Sequence, residues 1–117
     1  MSSQVTKNAK DLANCGGEVA SLPSEKLLNE SIILLKGLAD LTRLKILCLI
    51  RGNEVCVHDI VEVLDISQSG VSHQLRILRD ARLVSSRKQG RHVFYQLADE
   101  HIEQLLKNTL THGSETV

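Results

Sequence analysis

The apolar residues of this chain recur every three to four positions through most of its length, a spacing that predicts helices. Four helices are expected between residues 24 and 81. Three of them begin after Ser24, Asp40 and Ser67, whose side-chain oxygens can accept a hydrogen bond from the first turn of a helix. The remaining helix is short and runs from about Val57 to Leu64. This part of the chain is therefore expected to be all helical.

The pattern changes after the fourth helix. Residues 83–88 and 92–97 alternate between apolar and polar side chains, as in β-strands, and Gly90 in the connection suits the positive φ of a tight turn. A last helix is expected to begin near Asp99. The predicted order is α-α-α-α-β-β-α. This order describes a mainly α chain (α+β) with a two-stranded β wing.

The chain is long enough for one small domain. Residues 1–22 are polar and precede a proline, so we expect a flexible N-terminal arm followed by a domain over residues 23–117. No run of eighteen apolar residues is present, and the N-terminus lacks the apolar region of a signal peptide. We therefore expect a cytoplasmic protein that makes no contact with a membrane.

Residues 57–81 have the form of a helix-turn-helix, with the turn at Asp65-Ile66-Ser67. Apolar side chains are expected to hold its two helices together, namely Ile60, Val63, Leu64, Ile66, Val71, Leu75 and Leu78. Polar side chains remain for an outer face that reads base edges or holds phosphates. The predicted DNA-binding residues are Ser67, Gln68, Ser69, Ser72, His73, Gln74 and Arg76 on the second helix, and Lys88 and Arg91 on the hairpin.

The net charge of the chain is zero, but the charge is unevenly distributed. Residues 67–92 carry six cations against one anion, a local charge of +5, which is typical of a nucleic-acid contact. One short helix makes few phosphate contacts. A two-fold homodimer presents two such helices and can read an imperfect palindrome in double-stranded operator DNA, with half-sites ~34 Å apart.

The last helix carries two pairs of potential metal ligands, Asp99 and His101 at its start and His112 and Glu115 at its end. The two histidines are eleven residues apart, or ~16 Å along a helix. One helix cannot bring them to one ion, because zinc–ligand bonds are only ~2 Å long. Two antiparallel copies can, which predicts a metal-bridged dimer with two four-ligand sites.

Residues 31–112 resemble the ArsR/SmtB family of winged-helix repressors. The resemblance lies in GLADLTRLKILCLI, and above all in SQSGVSHQLRILRDARLVSSRKQGRHVFYQL. It implies a winged helix-turn-helix fold, a homodimer formed through the first and last helices, and repression that metal relieves. The SmtB-like zinc sensors of the family carry a D-x-H…H-x-x-E/H pattern on the last helix, and all four of its positions match here.

These observations predict a metal-responsive transcriptional repressor. Its apo homodimer binds operator DNA and is released when a metal bridges the last helices. Imidazole and carboxylate ligands suit zinc and also cobalt, and cadmium or another divalent metal remains an alternative. No nucleophile–base set or phosphate-binding glycine loop is apparent, so an enzyme is not expected. A zinc-buffering protein without DNA function is a further alternative, which the basic segment disfavours.

A second candidate metal site lies around Cys56, His58 and Asp59, with Cys15 supplied by the arm. Some members of the family place further thiols here, so the match is partial. The alternative function is a DNA-binding repressor that senses thiol oxidation or soft metals through Cys15 and Cys56. Cys48 is expected in the aliphatic core. His92, after the wing tip, is expected to face DNA or to be structural rather than to bind metal.

Overall fold

A computed structural model of the chain describes residues 5–6 and 16–115. These residues fall into two compact units, one ending at Ile32 and the other beginning at Ile33. Among the described residues, no helix is both long and apolar enough to cross a lipid bilayer.

The first unit contains a short antiparallel pair of strands, β1 (Val5–Thr6) and β2 (Val19–Ala20). It also contains the first part of helix α1 (Glu25–Leu38). The hydroxyl of Ser24 accepts a hydrogen bond from the backbone N–H of Leu27 at 3.1 Å, which confirms the predicted cap. The strand pair was not predicted, because two-residue strands carry no alternation to detect.

The second unit is a winged helix-turn-helix, as predicted. After the end of α1 it contains, in order, α2 (Leu41–Ile50), β3 (Val55–Cys56), α3 (Val57–Leu64), α4 (Gln68–Asp80), β4 (Val84–Gln89), β5 (His92–Leu97) and α5 (Glu100–Ser114). The predicted hairpin is confirmed, with Gly90 at φ 61° in its turn. The short strand β3, absent from the prediction, adds to the hairpin to give an antiparallel sheet of order β3-β5-β4.

Side-chain caps fix where three of these helices begin. Carboxylate oxygens of Asp40 and Asp99 accept from the backbone N–H groups three residues ahead, at 3.0 and 3.1 Å. The hydroxyl of Ser67 accepts from the N–H of Gly70 at 3.1 Å. Each cap satisfies a donor that the helix leaves free. Helices α2, α4 and α5 therefore start where the sequence predicts.

The core is aliphatic except for Tyr95, and it joins the helix-turn-helix to α2, the sheet and α5. Its fully buried side chains are Ile46, Leu47, Ile50, Ile60, Val71, Leu75, Leu78, Leu83 and Leu106. Two expectations were wrong: Val63 is 66% exposed, and Cys48 is exposed. Val63 faces outward because the inward stripe of α3 follows positions 57, 60, 61 and 64, and residue 63 lies about 110° away around the helix.

The C-terminal end of α1 lies very close to the segment that follows α4. Gly37 is buried, and a Cβ placed on it would come within 2.8 Å of Leu83 Cδ1 and 3.0 Å of Ala81 Cβ. Only a glycine allows this approach without a shift of its neighbours. The contact holds the end of α1 against the junction between the helix-turn-helix and the wing.

Candidate nucleic-acid interface and metal centre

Helix α4 is positioned by the turn that precedes it. Asp65 adopts a left-handed conformation (φ 53°, ψ 44°) at the end of α3, and Ser67 then caps α4. Of the polar side chains predicted for the outer face of α4, Gln68, Ser69, His73 and Arg76 are exposed, and Ser72 and Gln74 are half-buried. The Ser67 hydroxyl also lies 3.3 Å from that of Ser69. Because the Ser67 hydroxyl already accepts the capping hydrogen bond, it is less available for a DNA contact than the neighbouring side chains.

A groove of about 430 Å³ separates α4 from the wing. Gln68 and Ser72 line its helix side, and Arg91 and His92 line its wing side. Lys88 is exposed on the preceding strand of the hairpin. The helix and the wing therefore present polar side chains, with the cation Arg91, around one continuous depression. This arrangement suits a surface that follows a DNA groove and its flanking phosphates.

One of the six cations counted in the basic segment is already engaged. Arg87 Nε donates to both carboxylate oxygens of Glu54 at 3.0 and 2.9 Å, and its guanidinium carbon lies 4.9 Å from the centroid of the Phe94 ring. The hydrogen bonds from Arg87 lower the pKa of Glu54 from its ordinary value, and the carboxylate raises the pKa of Arg87. Arg87 thus connects the wing to Glu54, the residue immediately before β3.

Gln74, predicted to contact DNA, is hydrogen-bonded within the protein. Its Oε1 accepts from Arg43 Nη1 at 3.0 Å. The same guanidinium donates to the backbone carbonyls of Gly37 at 2.7 Å and Lys36 at 3.1 Å, at the C-terminal end of α1. Arg43 therefore links α1, α2 and α4. Gln74 is better placed to orient α4 than to reach a base.

The predicted metal ligands form one pair at each end of α5. His101 Nδ1 lies 3.6 Å from Asp99 Oδ1, and His112 Nδ1 lies 3.5 Å from Glu115 Oε1. Both imidazoles project into solvent, with His101 94% and His112 82% exposed. Within residues 16–115 of a single chain, no group of three or more His, Cys, Asp or Glu side chains is arranged to hold a metal ion. Each pair by itself offers two potential ligands, fewer than the four of a tetrahedral site.

The second candidate site is only partly within the described residues. Cys56 and His58 line the same groove between α4 and the wing, and Asp59 is exposed in the first turn of α3. Cys15 lies outside the described residues. The side chain that contacts the thiol of Cys56 is His92, with Sγ and Nδ1 3.6 Å apart. Sequence reasoning missed this neighbour because strand β3, which brings it there, is too short to predict.

Comparisons with known proteins agree with this architecture. Residues 40–86 match the family described as "Bacterial regulatory protein, arsR family". The chain is 40% identical over 99 residues to a transcriptional repressor SmtB homolog of Synechocystis sp., covering 85% of this chain and 73% of the relative.

Two further comparisons extend the match. The chain is 37% identical to a cadmium resistance transcriptional regulatory protein CadC homolog of Staphylococcus aureus, covering 68% of this chain and 67% of the relative. A homodimeric winged helix-turn-helix DNA-binding domain from Mycobacterium bovis superposes with a TM-score of 0.75 at 26% identity, over 81% of this chain and 91% of that domain. The chain therefore belongs to the ArsR/SmtB family of winged-helix transcriptional regulators, which are not enzymes.

Proposed function

We propose that this chain is a metal-responsive transcriptional repressor whose apo homodimer binds operator DNA. Zinc, or a related divalent metal, bridges the α5 helices of the two subunits and releases the DNA. The observation that carries the proposal is the division of the ligand set into two exposed half-sites, Asp99–His101 and His112–Glu115, at opposite ends of one helix.

The spacing within each half-site fits a tetrahedral ion. Metal–nitrogen and metal–oxygen bonds of about 2.0–2.2 Å at a tetrahedral angle place the two donor atoms roughly 3.4 Å apart. The observed separations are 3.6 and 3.5 Å. Little rearrangement is therefore needed for either pair to take two adjacent positions of a four-coordinate site. An antiparallel second copy of α5 would supply the other two ligands.

Exposed apolar side chains support a homodimer. Helix α1 exposes Leu27, Leu28, Ile32, Ile33 and Leu35, and such a surface favours association with a partner. The Mycobacterium bovis relative is homodimeric. With two-fold symmetry, the dimer would present two copies of α4 to an imperfectly palindromic operator, with half-sites ~34 Å apart.

The donor set favours zinc or cobalt. Two imidazoles and two carboxylates, with no thiolate, suit borderline divalent ions rather than soft monovalent ones. When bound, the ion would supply fixed bonds that hold the two α5 helices in one relative arrangement. If that arrangement fits DNA poorly, metal lowers DNA affinity, and DNA must lower metal affinity by the same factor.

The test is a DNA-binding measurement on the full chain, by fluorescence anisotropy with labelled operator, with and without zinc, cobalt or cadmium. Zinc is expected to weaken DNA binding by the native protein. The His101→Ala and Asp99→Asn variants are expected to remain bound to DNA when zinc is added. Asparagine can still cap α5, so Asp99→Asn removes the ligand and not the helix start. Glu100→Gln, which neutralises the next carboxylate, is the matched control and should respond like the native chain. Release of DNA from His101→Ala by zinc would overturn the proposal.

A further inference from the structure

The C-terminal end of α1 holds α4 at two places. At the first, buried Gly37 packs against Ala81 at the end of α4, and a Cβ on Gly37 would lie 3.0 Å from Ala81 Cβ. At the second, Arg43 donates to both Gln74 Oε1 and the carbonyl of Gly37, at 3.0 and 2.7 Å. Gln74 and Ala81 are seven residues apart, so they lie on one face of α4, ~10 Å apart along its axis. Two attachments at this separation fix the direction of the helix.

Between the two attachments, α4 borders a cavity of about 390 Å³. Ile77 and Asp80 of α4 line this cavity, and so does Ile33 of α1. Close packing therefore does not hold this side of the helix. The buried apolar side chains of α4 contribute hydrophobic burial, which has no preferred direction. The hydrogen bond from Arg43 is directional and partly buried, and it supplies a constraint that the cavity side lacks.

The orientation of the Gln74 amide suits this attachment and not the reading of a base. A guanidinium only donates hydrogen bonds, so Gln74 must present its oxygen to Arg43. A glutamine that reads adenine presents both its amide oxygen and its amide nitrogen to the base edge. In this structure the oxygen is turned towards Arg43, and the side chain is half-buried. The effect of Gln74 on DNA therefore has to pass through the position of α4.

We propose that Arg43 and Gln74 are positioning residues for operator recognition, whose bond sets the tilt of α4 and thereby the base contacts of its first turn. Gln68 in that turn is thirteen residues from Ala81, or ~20 Å along the helix. A tilt of about 5° at the Ala81 end would move Gln68 by roughly 1.7 Å. Hydrogen bonds form over a range of only ~0.5 Å, so such a tilt breaks base contacts.

The non-specific part of DNA affinity should not depend on this tilt. Attraction between the cations of the wing and the DNA phosphates carries no sequence information and tolerates small shifts. Loss of the Arg43–Gln74 bond is therefore expected to reduce discrimination between sequences and to leave general DNA affinity in place. The inference rests on the DNA binding of the proposed function and uses neither ligand pair of α5.

The test compares two DNA duplexes on metal-free, full-length protein by fluorescence anisotropy. One duplex is selected by the native protein from a random pool, and the other is a scrambled duplex of the same composition. Arg43→Lys and Gln74→Ala should each lower the ratio of the two affinities by about tenfold or more. Affinity for the scrambled duplex should stay within about twofold of native. The double variant should lose no more than the worse single variant, because both changes remove the same bond.

Two further variants separate positioning from stability and from direct base contact. Gln74→Glu keeps an acceptor for Arg43, so its ratio should stay within about threefold of native. Arg51→Lys makes the same exchange at the other end of α2, where Arg51 lies 3.6 Å from Glu103, and should behave like the native chain. Lower stability alone would reduce the folded fraction and weaken binding to both duplexes alike. The ratio would then be unchanged.

A native ratio in both Arg43→Lys and Gln74→Ala would overturn the proposal. A lowered ratio in Gln74→Ala with a native ratio in Arg43→Lys, or a ratio lowered more than tenfold in Gln74→Glu, would also overturn it, because Gln74 would then contact a base directly. Failure of the α5 metal proposal would leave all of these results unchanged, since no metal is present. A native chain that selects no sequence from the pool would contradict the proposed function as well.

Discussion

Arg43 Nη1 donates to Gln74 Oε1 at 3.0 Å, while the other nitrogens of the same guanidinium donate to the carbonyls of Gly37 and Lys36. The Arg43 side chain is only 15% exposed, and its bonds to Gly37 and Gln74 are partly buried, whereas the bond to Lys36 is exposed. One planar guanidinium therefore fastens the DNA-facing helix α4 to the end of α1. If α1 contributes to the dimer interface, Arg43 connects that interface to α4.

Replacing Arg43 should show how much its planar guanidinium contributes to the free energy of unfolding. In Arg43→Lys a single ammonium cannot reach all three acceptors in their present geometry, so we expect a loss of about 1–3 kcal/mol in the free energy of unfolding. Gln74→Ala, which removes one acceptor, should cost less, about 0.5–1.5 kcal/mol. Urea denaturation of both variants measures the difference. An Arg43→Lys protein as stable as the native chain would show that the carbonyl contacts contribute nothing.

The Glu54–Arg87 pair predicts a pH effect of defined sign. Because Arg87 lowers the pKa of Glu54, the Glu54 carboxyl should titrate in NMR below its ordinary value of 4.5. The small stabilisation from this exposed pair is complete above that ordinary value and is lost as the pH falls through the lowered one. Arg87→Ala should move the midpoint up towards the ordinary value. Arg91→Ala, which removes a neighbouring wing cation, should leave it unchanged.

Two glycines in helices should respond oppositely to alanine. In Gly37→Ala the new methyl group meets Leu83 and Ala81 at 2.8 and 3.0 Å, so overpacking should cost about 1–3 kcal/mol. A methyl group on Gly113 has nothing within 4 Å, so Gly113→Ala should stabilise α5 by up to ~1 kcal/mol. Thermal unfolding of the two variants compares them directly. A Gly37→Ala protein more stable than the native chain would mean that Leu83 can move away without cost.

Loss of a base contact and loss of a phosphate contact should have different effects on DNA affinity. Gln68 is exposed at the start of α4, and we expect Gln68→Ala to reduce discrimination between operator and mutated sites by about 1–3 kcal/mol. Lys88→Ala should weaken binding to all sequences alike and reduce the salt slope by ~0.9 for the one lost phosphate contact. Affinities at several salt concentrations, on specific and scrambled DNA, distinguish the two effects. Equal losses on both DNAs for Gln68→Ala would rule out base reading.

Local chemistry explains which features could be predicted from the sequence. The caps at Asp40, Ser67 and Asp99 depend on contacts three residues away, and all three are confirmed. The helix-turn-helix and the hairpin have strong periodicity, so they too were predictable. Family resemblance supplied the winged fold as a whole.

The features that were missed depend on distant parts of the chain. Strand β3 is defined by its pairing with β5 and not by its own two residues. The Cys56–His92 contact follows from that pairing. Gln74 resembles a DNA contact until Arg43, thirty-one positions away, is seen to bind it. The direction of a polar side chain on α4 therefore depends on contacts with residues that are distant in the sequence.

Mixed dimers test the central claim most directly. His101→Ala and His112→Ala homodimers each lack a histidine in both proposed α5 sites. A heterodimer of the two, purified with two different tags, would keep one site with all four ligands and one with neither histidine. We predict that each homodimer loses tight zinc binding, and that the heterodimer regains about one tight zinc per dimer. A heterodimer that binds zinc no better than its parents would contradict a metal shared between the two α5 helices.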